Sequence, residues 1–455
     1  MTRSRHWSLL ALASLSCGVP LGSSGRTLLI GVVIDRSGID SEPSWFDAIK
    51  LARQDVNDGV TQAGLGVPTF EVRVADSANA PTVALAHSVD MVKNQGARAL
   101  ILDTSQSDLA VQKTFYDADP TNDLNVPIVC GSCTSGSLNN PAAVDPDPVT
   151  QAALRNTAGW NFRSVMSTGL ISQTLVGLML NAAPGGDLNG DGVFKVSFYG
   201  SDEPFGRGAA KDLQRFLLQL HPDPPPVLVS LFHPAAADPN SYDWDGDLKT
   251  LTSGAPDFIA VANFALQQAA TRKAYVQGGS TVAMLHYHSL RFASVLESLG
   301  SLAQGAEGVS HVLLDNGASG DVFRSEYTAL YGVDVVYRDA NYYDAAVTLM
   351  LATAIASVGM ADPYAVTGAQ IRDALRRTSD PQGAPIGTGR DEMAKAARLI
   401  AQGQPINYEG ASGPMDFDAN GNVVDRLAHF QAQSGQFADL THFDCVADPS
   451  CPVAN

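Results

Sequence analysis

The sequence predicts an α/β protein in which two doubly wound parallel sheets form two lobes. Between residues 27 and 132, apolar runs typical of buried strands alternate with helical patterns, the order expected of a parallel sheet. A second series of the same kind runs from residue 167 to 288. Strand patterns then return near residue 426, after a mainly helical region. Such a late return is expected when a chain crosses back between two lobes.

The first series starts with the apolar run TLLIGVVID at 27–35, which favours a strand buried on both faces. Ser41 then offers a cap for a helix with an apolar face that includes Trp45 and Ile49. The series continues with predicted strands at 69–76, 97–103 and 126–132 and predicted helices at 80–96 and 108–118.

The second series contains predicted helices at 167–182 and 205–220, a helix that ends at Gly278, and predicted strands at 193–200, 225–232, 256–264 and 280–288. Helices dominate residues 320–403, where the Ala-rich run from Asp344 favours a buried core helix over a membrane span because Thr and Ser interrupt it. Residues 408–424 carry the turn GASGP and the bend DANGN, and we expect them to supply a strand that pairs with 426–437.

Charge and composition limit the classes of partner. The formal net charge is −18, with 45% hydrophobic and 17% charged residues. This balance favours a globular protein and argues against a surface for nucleic acid or anionic membranes, because both need basic patches.

The first 26 residues have the pattern of a secretory leader. Arg3 and Arg5 precede an apolar run from Leu9 to Leu15, which is too short to span a bilayer. Cys17 followed by Gly18 resembles a bacterial lipobox, so lipidation of Cys17 is predicted, with plain leader cleavage nearby as the alternative. A lipid on Cys17 is the predicted membrane contact of an otherwise periplasmic or outer-envelope protein.

The other four cysteines fall into two local pairs. Cys445 and Cys451 are predicted to form a disulfide, because their spacing permits closure and an exported protein meets an oxidising compartment. Cys130 and Cys133 in CGSC leave three alternatives open: a local disulfide, packed thiols or a redox site.

Five stretches in order carry a resemblance to a known family. They are FDAIKLARQDVN (46–57), YGSDEPFGRGAAKDL (199–213), AEGVS (306–310), YYDAAVTLMLATAI (342–355) and GASGPMDFDANGNVV (410–424). Together they resemble the type I periplasmic binding proteins, in particular the branched-chain amino-acid (leucine/isoleucine/valine) binding branch that serves ABC transporters. The resemblance covers residues 27–440.

The resemblance implies two doubly wound lobes joined by three hinge crossings, near Arg163, near Ser310 and at Gly410 to Pro414. The implied division of the chain is a leader at 1–26, lobe 1 at 27–162 with 311–409, lobe 2 at 163–310 with 410–442, and a tail at 443–455. It also implies a small-molecule ligand, an ABC permease as partner, no cofactor and no enzymatic activity.

Two loops of lobe 1 place hydroxyl residues between a strand end and a helix, where backbone amides and the helix dipole favour an anionic group. The resemblance implies that one loop supplies Ser105 or Ser107. It implies that Ser132, Cys133 and Thr134 of the other loop hold the ligand carboxylate.

Lobe 2 is implied to supply aromatic walls through Phe205 and Phe264. Tyr287 and His288 stand where the family has a Glu that pairs with the ligand ammonium. We therefore expect a ligand held by an anionic or carbonyl end in lobe 1, and not a branched-chain α-amino acid bound in the family's usual way. A substitute countercharge from Asp202 or Glu203 is the alternative.

Other functions have weaker support. A stand-alone extracytoplasmic sensor with the same cleft is the second hypothesis. An enzyme is the third, since the chain contains no G-x-S-x-G elbow, Walker A loop or G-x-G-x-x-G after a strand.

No metal is predicted, because both candidate patterns are incomplete. His286 and His288 alternate on one strand but have no third ligand nearby in sequence. Asp187, Asn189 and Asp191 match the first half of a calcium loop, with an Asx-rich turn as the alternative.

Overall fold

The computed structural model describes residues 25–64, 66–314 and 317–447. Most of the predicted leader, including Cys17, and the tail cysteine Cys451 lie outside the described residues.

The strands are β1 (Leu28–Ile34), β2 (Phe70–Asp76), β3 (Ala99–Leu102), β4 (Ile128–Cys130), β5 (Asn161–Arg163), β6 (Lys195–Asp202), β7 (Val227–Pro234), β8 (Phe258–Ala262), β9 (Ala283–His286), β10 (Glu307–His311), β11 (Ala384–Ile386), β12 (Ile406–Tyr408), β13 (Arg426–Gln433) and β14 (Gln436–Asp444). The α-helices are α1 (Ser44–Ala63), α2 (Pro81–Val89), α3 (Ser105–Gln112), α4 (Pro148–Arg155), α5 (Thr168–Ala182), α6 (Pro204–Leu220), α7 (Trp244–Thr252), α8 (Ala265–Gln277), α9 (Ala293–Leu299), α10 (Ala318–Tyr331), α11 (Asp339–Ser357), α12 (Gly368–Ala374) and α13 (Arg390–Ala401).

Two large sheets organise these elements, as the sequence predicts. The first has five parallel strands in the order β2-β1-β3-β4-β5. The second has seven strands in the order β14-β13-β10-β9-β8-β6-β7, in which β13 runs antiparallel to its neighbours β10 and β14 and the other pairs are parallel. The predicted α/β fold with two parallel-sheet lobes is therefore confirmed.

Helix α11 is the core helix that the Ala-rich run predicts. It packs against α1 and contacts β3 and β4, and every residue except Ala356 is buried. Among the described residues, no helix combines the length and the apolar character needed to cross a bilayer.

Several local predictions are wrong. Ser41 does not cap α1, because Pro43 occupies the N-cap position and makes no side-chain cap bond. Residues 415–424 are not a strand: Asp418 and Asn422 close a local bend, and β13 pairs with β14 instead. The elements α4, β5, α7, β11 and β12 were not predicted, because they are too short to show a clear apolar period.

The chain passes between the two sheets three times, after β5, after β10 and between β12 and β13. Hydrogen bonds link these crossings to one another. Arg163 Nε donates to Asn422 Oδ1 at 2.7 Å, which joins the first crossing to the third. His311 Nε2 lies 2.9 Å from the Met166 carbonyl oxygen, which joins the second crossing to the first.

The third crossing is held by the buried carboxyl of Asp344 on α11. It accepts hydrogen bonds from Tyr408 Oη at 2.7 Å and from the backbone amides of Ala411 and Ser412 at 2.8 Å each. Gly410 makes this approach possible, because a Cβ there would lie 2.5 Å from the Asp344 carboxyl carbon. Burial raises the pKa of the Asp344 carboxyl to about 6.

Candidate functional site

The strand ends of the two sheets face each other across a cleft. Thr134 Oγ1, from the loop after β4, lies 3.4 Å from Nε2 of His288, from the loop after β9. Ser135 Oγ donates to the Pro204 carbonyl at 2.7 Å, at the start of α6. The two lobes therefore touch at the edge where ligands bind in open α/β sheets.

The predicted hydroxyl residues of lobe 1 divide into two groups. Ser107 belongs to the cap of α3: its amide donates to Thr104 Oγ1 at 3.3 Å, and the two hydroxyl oxygens lie 2.8 Å apart. Ser105 links the two loops instead, since its Oγ accepts from the Ser135 amide at 3.1 Å. Ser132 and Thr134 are both buried in the loop after β4. Thr134 also contacts lobe 2, through His288.

A disulfide joins Cys130 and Cys133 at the base of this loop. Of the alternatives that the sequence left open, the structure has the local disulfide and not two packed thiols. The two sulfur atoms lie 3.4 and 3.7 Å from the Asp103 carbonyl oxygen at the end of β3. The bridge therefore fixes the loop that carries Ser132 and Thr134 against the sheet.

Three predicted residues of lobe 2 lie together. The ring centroids of Phe205 and Phe264 are 6.2 Å apart, and that of His288 is 5.1 Å from Phe205. Tyr287 lies apart from this group: its hydroxyl is 2.7 Å from Ser172 Oγ, and its ring packs in the hydrophobic core of lobe 2.

Neither acid offered as a substitute countercharge is available to a ligand in this structure. Glu203 caps α6, and its carboxylate accepts from the amides of Phe205 and Gly206 at 2.8 Å each. Burial raises the pKa of Glu203 to about 7. Asp202 forms an ion pair with Arg207 at 2.5 Å, and both side chains are about half exposed.

One residue of the cleft was missed by the sequence analysis. Arg338 precedes α11 and is fully buried, and its guanidinium carbon lies 4.6 Å from the ring centroid of Tyr337. Burial lowers the pKa of its guanidinium, and the nearby groups that oppose this include Tyr337, Tyr342, Asp40 and Asp425. A single arginine in VVYRDANYY has no repeat or spacing that marks it in a sequence.

Arg338 and two neighbours have unpaired polar atoms. Within the described part of the chain, all three guanidinium nitrogens, Tyr342 Oη and His288 Nδ1 are buried without a hydrogen-bond partner. Buried polar groups are nearly always paired in folded proteins. Burial also holds the pKa of His288 well below its usual value, so this ring is neutral and can donate or accept.

Three carboxyl groups lie around this centre, and each already accepts from a backbone amide. Asp40 accepts from Ala265 at 3.2 Å across the cleft, and Asp425 accepts from Arg426 at 2.6 Å. Asp103 accepts from Thr104 at 2.6 Å. Burial is the main cause that raises the pKa of Asp40 and Asp425 to about 7 and that of Asp103 to about 6.

With this geometry in place, the comparison with protein families decides the identity. The model of a family described as periplasmic binding protein matches residues 27–435. The chain belongs to the periplasmic binding protein family. The resemblance that the five sequence stretches carry is thereby confirmed.

Solved structures of binding proteins share the fold of this periplasmic binding protein. A leucine-binding protein from Thermotoga maritima has 16% identity and a TM-score of 0.66, over 91% of this chain and 98% of its own. A solute-binding protein of an ABC transporter from R. palustris, in complex with benzoate, has 15% identity and a TM-score of 0.64, over 92% and 96%.

A third structure is a branched-chain amino-acid transporter substrate-binding protein from Streptococcus pneumoniae in complex with isoleucine, with 17% identity and a TM-score of 0.62, over 92% and 99%. No curated protein sequence matches the chain.

The residues of the two candidate metal patterns make hydrogen bonds to other groups of the protein. Asp187 accepts from the amides of Gly190 and Gly192 at 2.8 Å each, as in an Asx-rich turn, and Asn189 Oδ1 accepts from the amide of Asp191 at 2.9 Å. His286 Nδ1 lies 2.9 Å from Gln268 Oε1. Throughout the described ranges, no group of three or more His, Cys, Asp or Glu side chains could hold a metal ion.

Proposed function

We propose that this periplasmic binding protein encloses a small polar ligand between its two lobes and delivers it to the permease of an ABC transporter. The ligand occupies the cleft where Thr134 meets His288, with Phe205 and Phe264 on the lobe 2 side. Ser105, Ser132 and the disulfide between Cys130 and Cys133 support the lobe 1 side. The family membership supports this proposal.

The observation that carries the proposal is the group of unpaired atoms on Arg338, Tyr342 and His288. Leaving a buried polar group unpaired costs about 1–3 kcal/mol, and more for a charged group. Three such groups near the meeting point of two lobes are explained together when a bound ligand supplies their partners.

We propose the lobe boundaries that the sequence suggests, with lobe 1 at 27–162 and 311–409 and lobe 2 at 163–310 and 410–442. The three passages of the chain between the sheets support this division, since each falls near a boundary. Closure would be a rotation about these crossings. The hydrogen bonds between Arg163 and Asn422 and between His311 and Met166 would keep the crossings together during that rotation.

We further propose that the protein is exported and anchored through a lipid on Cys17, with a second disulfide between Cys445 and Cys451. The family supports export, and the leader pattern supports the anchor. Fractionation of cells that express Cys17→Ala tests the anchor, since the variant should leave the membrane fraction. Mass mapping under non-reducing conditions tests the disulfide, which two free thiols at these positions would contradict.

Native mass spectrometry of freshly purified protein tests the binding function. A tightly bound solute should appear as a mass increment that disappears after unfolding and refolding in solute-free buffer. Calorimetric titration of the refolded protein with the extracted solute should restore one equivalent of binding. If no increment is found and no small solute from a broad panel raises the melting temperature, the binding function is wrong.

A further inference from the structure

We propose that Arg338 is the anion receptor of the cleft, and that the ligand is a small carboxylate with a flat apolar body and no ammonium group. This inference rests on the proposed function and names the ligand class of the same site. Its basis is the chemistry of one residue and the groups that surround it.

Arg338 combines several features that are unfavourable without a ligand. It is fully buried, and its guanidinium has no hydrogen-bond partner among the described residues. Its backbone is in the left-handed region, with φ 78° and ψ −10°, which is strained for a residue other than glycine. It also occupies the N-cap position of α11, where the helix dipole disfavours a cation.

A bound carboxylate would supply the missing hydrogen-bond partners and would offset the cost of burying the Arg338 charge. The planar guanidinium offers five N–H donors in a fork that matches the two oxygens of a carboxylate. Tyr342 Oη and neutral His288 Nδ1 are further unpaired groups that can donate to the same anion. An anion at the N-terminus of α11 would also interact favourably with its dipole.

Tyr342 is held in position by its neighbours. Its ring stacks on Trp45 with centroids 4.7 Å apart. A Cβ on Gly131 would lie 2.5 Å from the Tyr342 ring, so the loop after β4 packs directly against it. The unpaired hydroxyl is therefore fixed beside the disulfide-bonded loop that also carries Thr134.

The walls around Arg338 favour a flat apolar body. The rings of Phe205, His288 and Tyr337 form a continuous row, with centroids 5.1 Å apart for the first pair and 6.3 Å for the second. Phe264 extends the row beyond Phe205. Aromatic rings stack on such walls in offset or tilted arrangements.

Each acidic side chain described above for the cleft already binds another group of the protein, so it is not free to pair with an ammonium group. Glu203 caps α6 and Asp202 pairs with Arg207, as described above. Asp40, Asp103 and Asp425 each bind a backbone amide. The unpaired groups at the centre consist of donors and one neutral histidine nitrogen, so they fit an anion and not a cation.

The test uses four probes that share one ring and differ in charge: benzoate, benzamide, benzylamine and phenylalanine. We expect calorimetric titration of refolded protein to show benzoate binding and at least about 30-fold weaker binding of benzamide, because a charge-assisted bidentate pair is lost. Benzylamine and phenylalanine should bind more weakly than benzoate.

Three variants identify the receptor. Arg338→Met should weaken benzoate binding by about 100-fold or more, and Arg338→Lys by about 10-fold, since lysine keeps the charge but not the fork. Arg73→Met makes the same change in net charge at the exposed ion pair with Glu71 on β2 and should leave benzoate affinity unchanged.

The outcomes separate this inference from the proposed function. If benzamide, benzylamine or phenylalanine binds as tightly as benzoate, or if Arg338→Met retains benzoate affinity, the inference is overturned while the binding function stands. If none of the four probes binds, the inference is overturned as well, and the binding function then depends on the co-purified solute alone.

Discussion

Arg163 and Arg338 are both buried, yet their surroundings are opposite. Arg163, at the first crossing, donates through Nε to Asn422, through Nη1 to the carbonyls of Cys133 and Ser135, and through Nη2 to that of Leu138, at 2.7–3.2 Å. Arg338, in the cleft, has none of these contacts among the described residues. The crossings contain paired charge, and the cleft contains unpaired charge.

The difference separates two uses of a buried cation. A guanidinium with every nitrogen paired joins segments of its own chain, and its desolvation is offset inside the fold. The desolvation cost of a buried guanidinium without partners must be offset by a group outside the chain, such as a bound ligand. Burial alone does not distinguish the two, since both arginines have a lowered pKa caused mainly by desolvation.

The largest expected effect is the loss of stability in Arg163→Met. The substitution removes four hydrogen bonds and leaves the Asn422 side chain and three carbonyls with fewer partners, which should lower the free energy of unfolding by about 3–5 kcal/mol. Urea denaturation measures it. A loss below about 1 kcal/mol would show that the paired arginine is not structural.

A smaller loss is expected at the third crossing. In Gly410→Ala the new Cβ would lie 2.5 Å from the Asp344 carboxyl, so the crossing must shift, at about 1–3 kcal/mol. Gly66→Ala is the matched control, because its Cβ would meet no atom within 4 Å. Equal denaturation midpoints for both variants would contradict the close approach that we describe.

The affinity for benzoate should depend on pH. Asp40 and Asp425 have pKa values raised to about 7, so both lose protons between pH 6 and 8 and add negative charge near Arg338. Benzoate should then bind more weakly at pH 8, on the order of 10-fold. The other charged groups that face these carboxyls are Asp35, Asp103, Asp344, Arg338 and Arg426.

Histidine titration does not complicate this range, because burial holds the pKa of His288 and His311 well below the usual value. Calorimetry in two buffers of different ionisation enthalpy should show proton uptake on binding. Benzoate affinity that is equal or higher at pH 8 would contradict the predicted effect of Asp40 and Asp425 on the site.

The smallest effect is expected for the stability of ligand-free Arg338→Met. Because the guanidinium has no partner to lose, the free energy of unfolding should stay constant or rise by about 1 kcal/mol. The same urea denaturation measures it, beside Arg163→Met. A loss as large as that of Arg163→Met would mean that Arg338 has a structural role, and the contrast between the two arginines would fail.

The sequence predicts best what depends on long patterns. Strand β1 was predicted because its apolar run is unbroken, and helix α11 because its Ala-rich run is long. The short elements β5, β11 and β12 have three residues each, too few to show a period. Tyr287 and His288 are adjacent in the sequence. Only the structure shows that the Tyr287 hydroxyl lies in the lobe 2 core and that the His288 ring faces the cleft.

Arg338 was missed for a different physical reason. Its importance lies in the partners that it lacks, and a missing partner is a property of three-dimensional packing. Ser107 and Ser105 show the same limit: their residue type predicts ligand contacts, and only the structure shows that Ser107 belongs to the cap of α3 and that Ser105 joins two loops.

Helix α11 has a consequence for the kinetics of hydrogen exchange. With all but one of its residues buried, its interior amides have no local route to solvent and should exchange only when the whole protein unfolds. Arg338 immediately precedes this helix, so a solute that binds the guanidinium stabilises the state in which these amides are closed. The slowest amides of α11 should therefore exchange at a rate that falls with the ligand-free fraction of the protein, while those of the exposed strand β7 should not change.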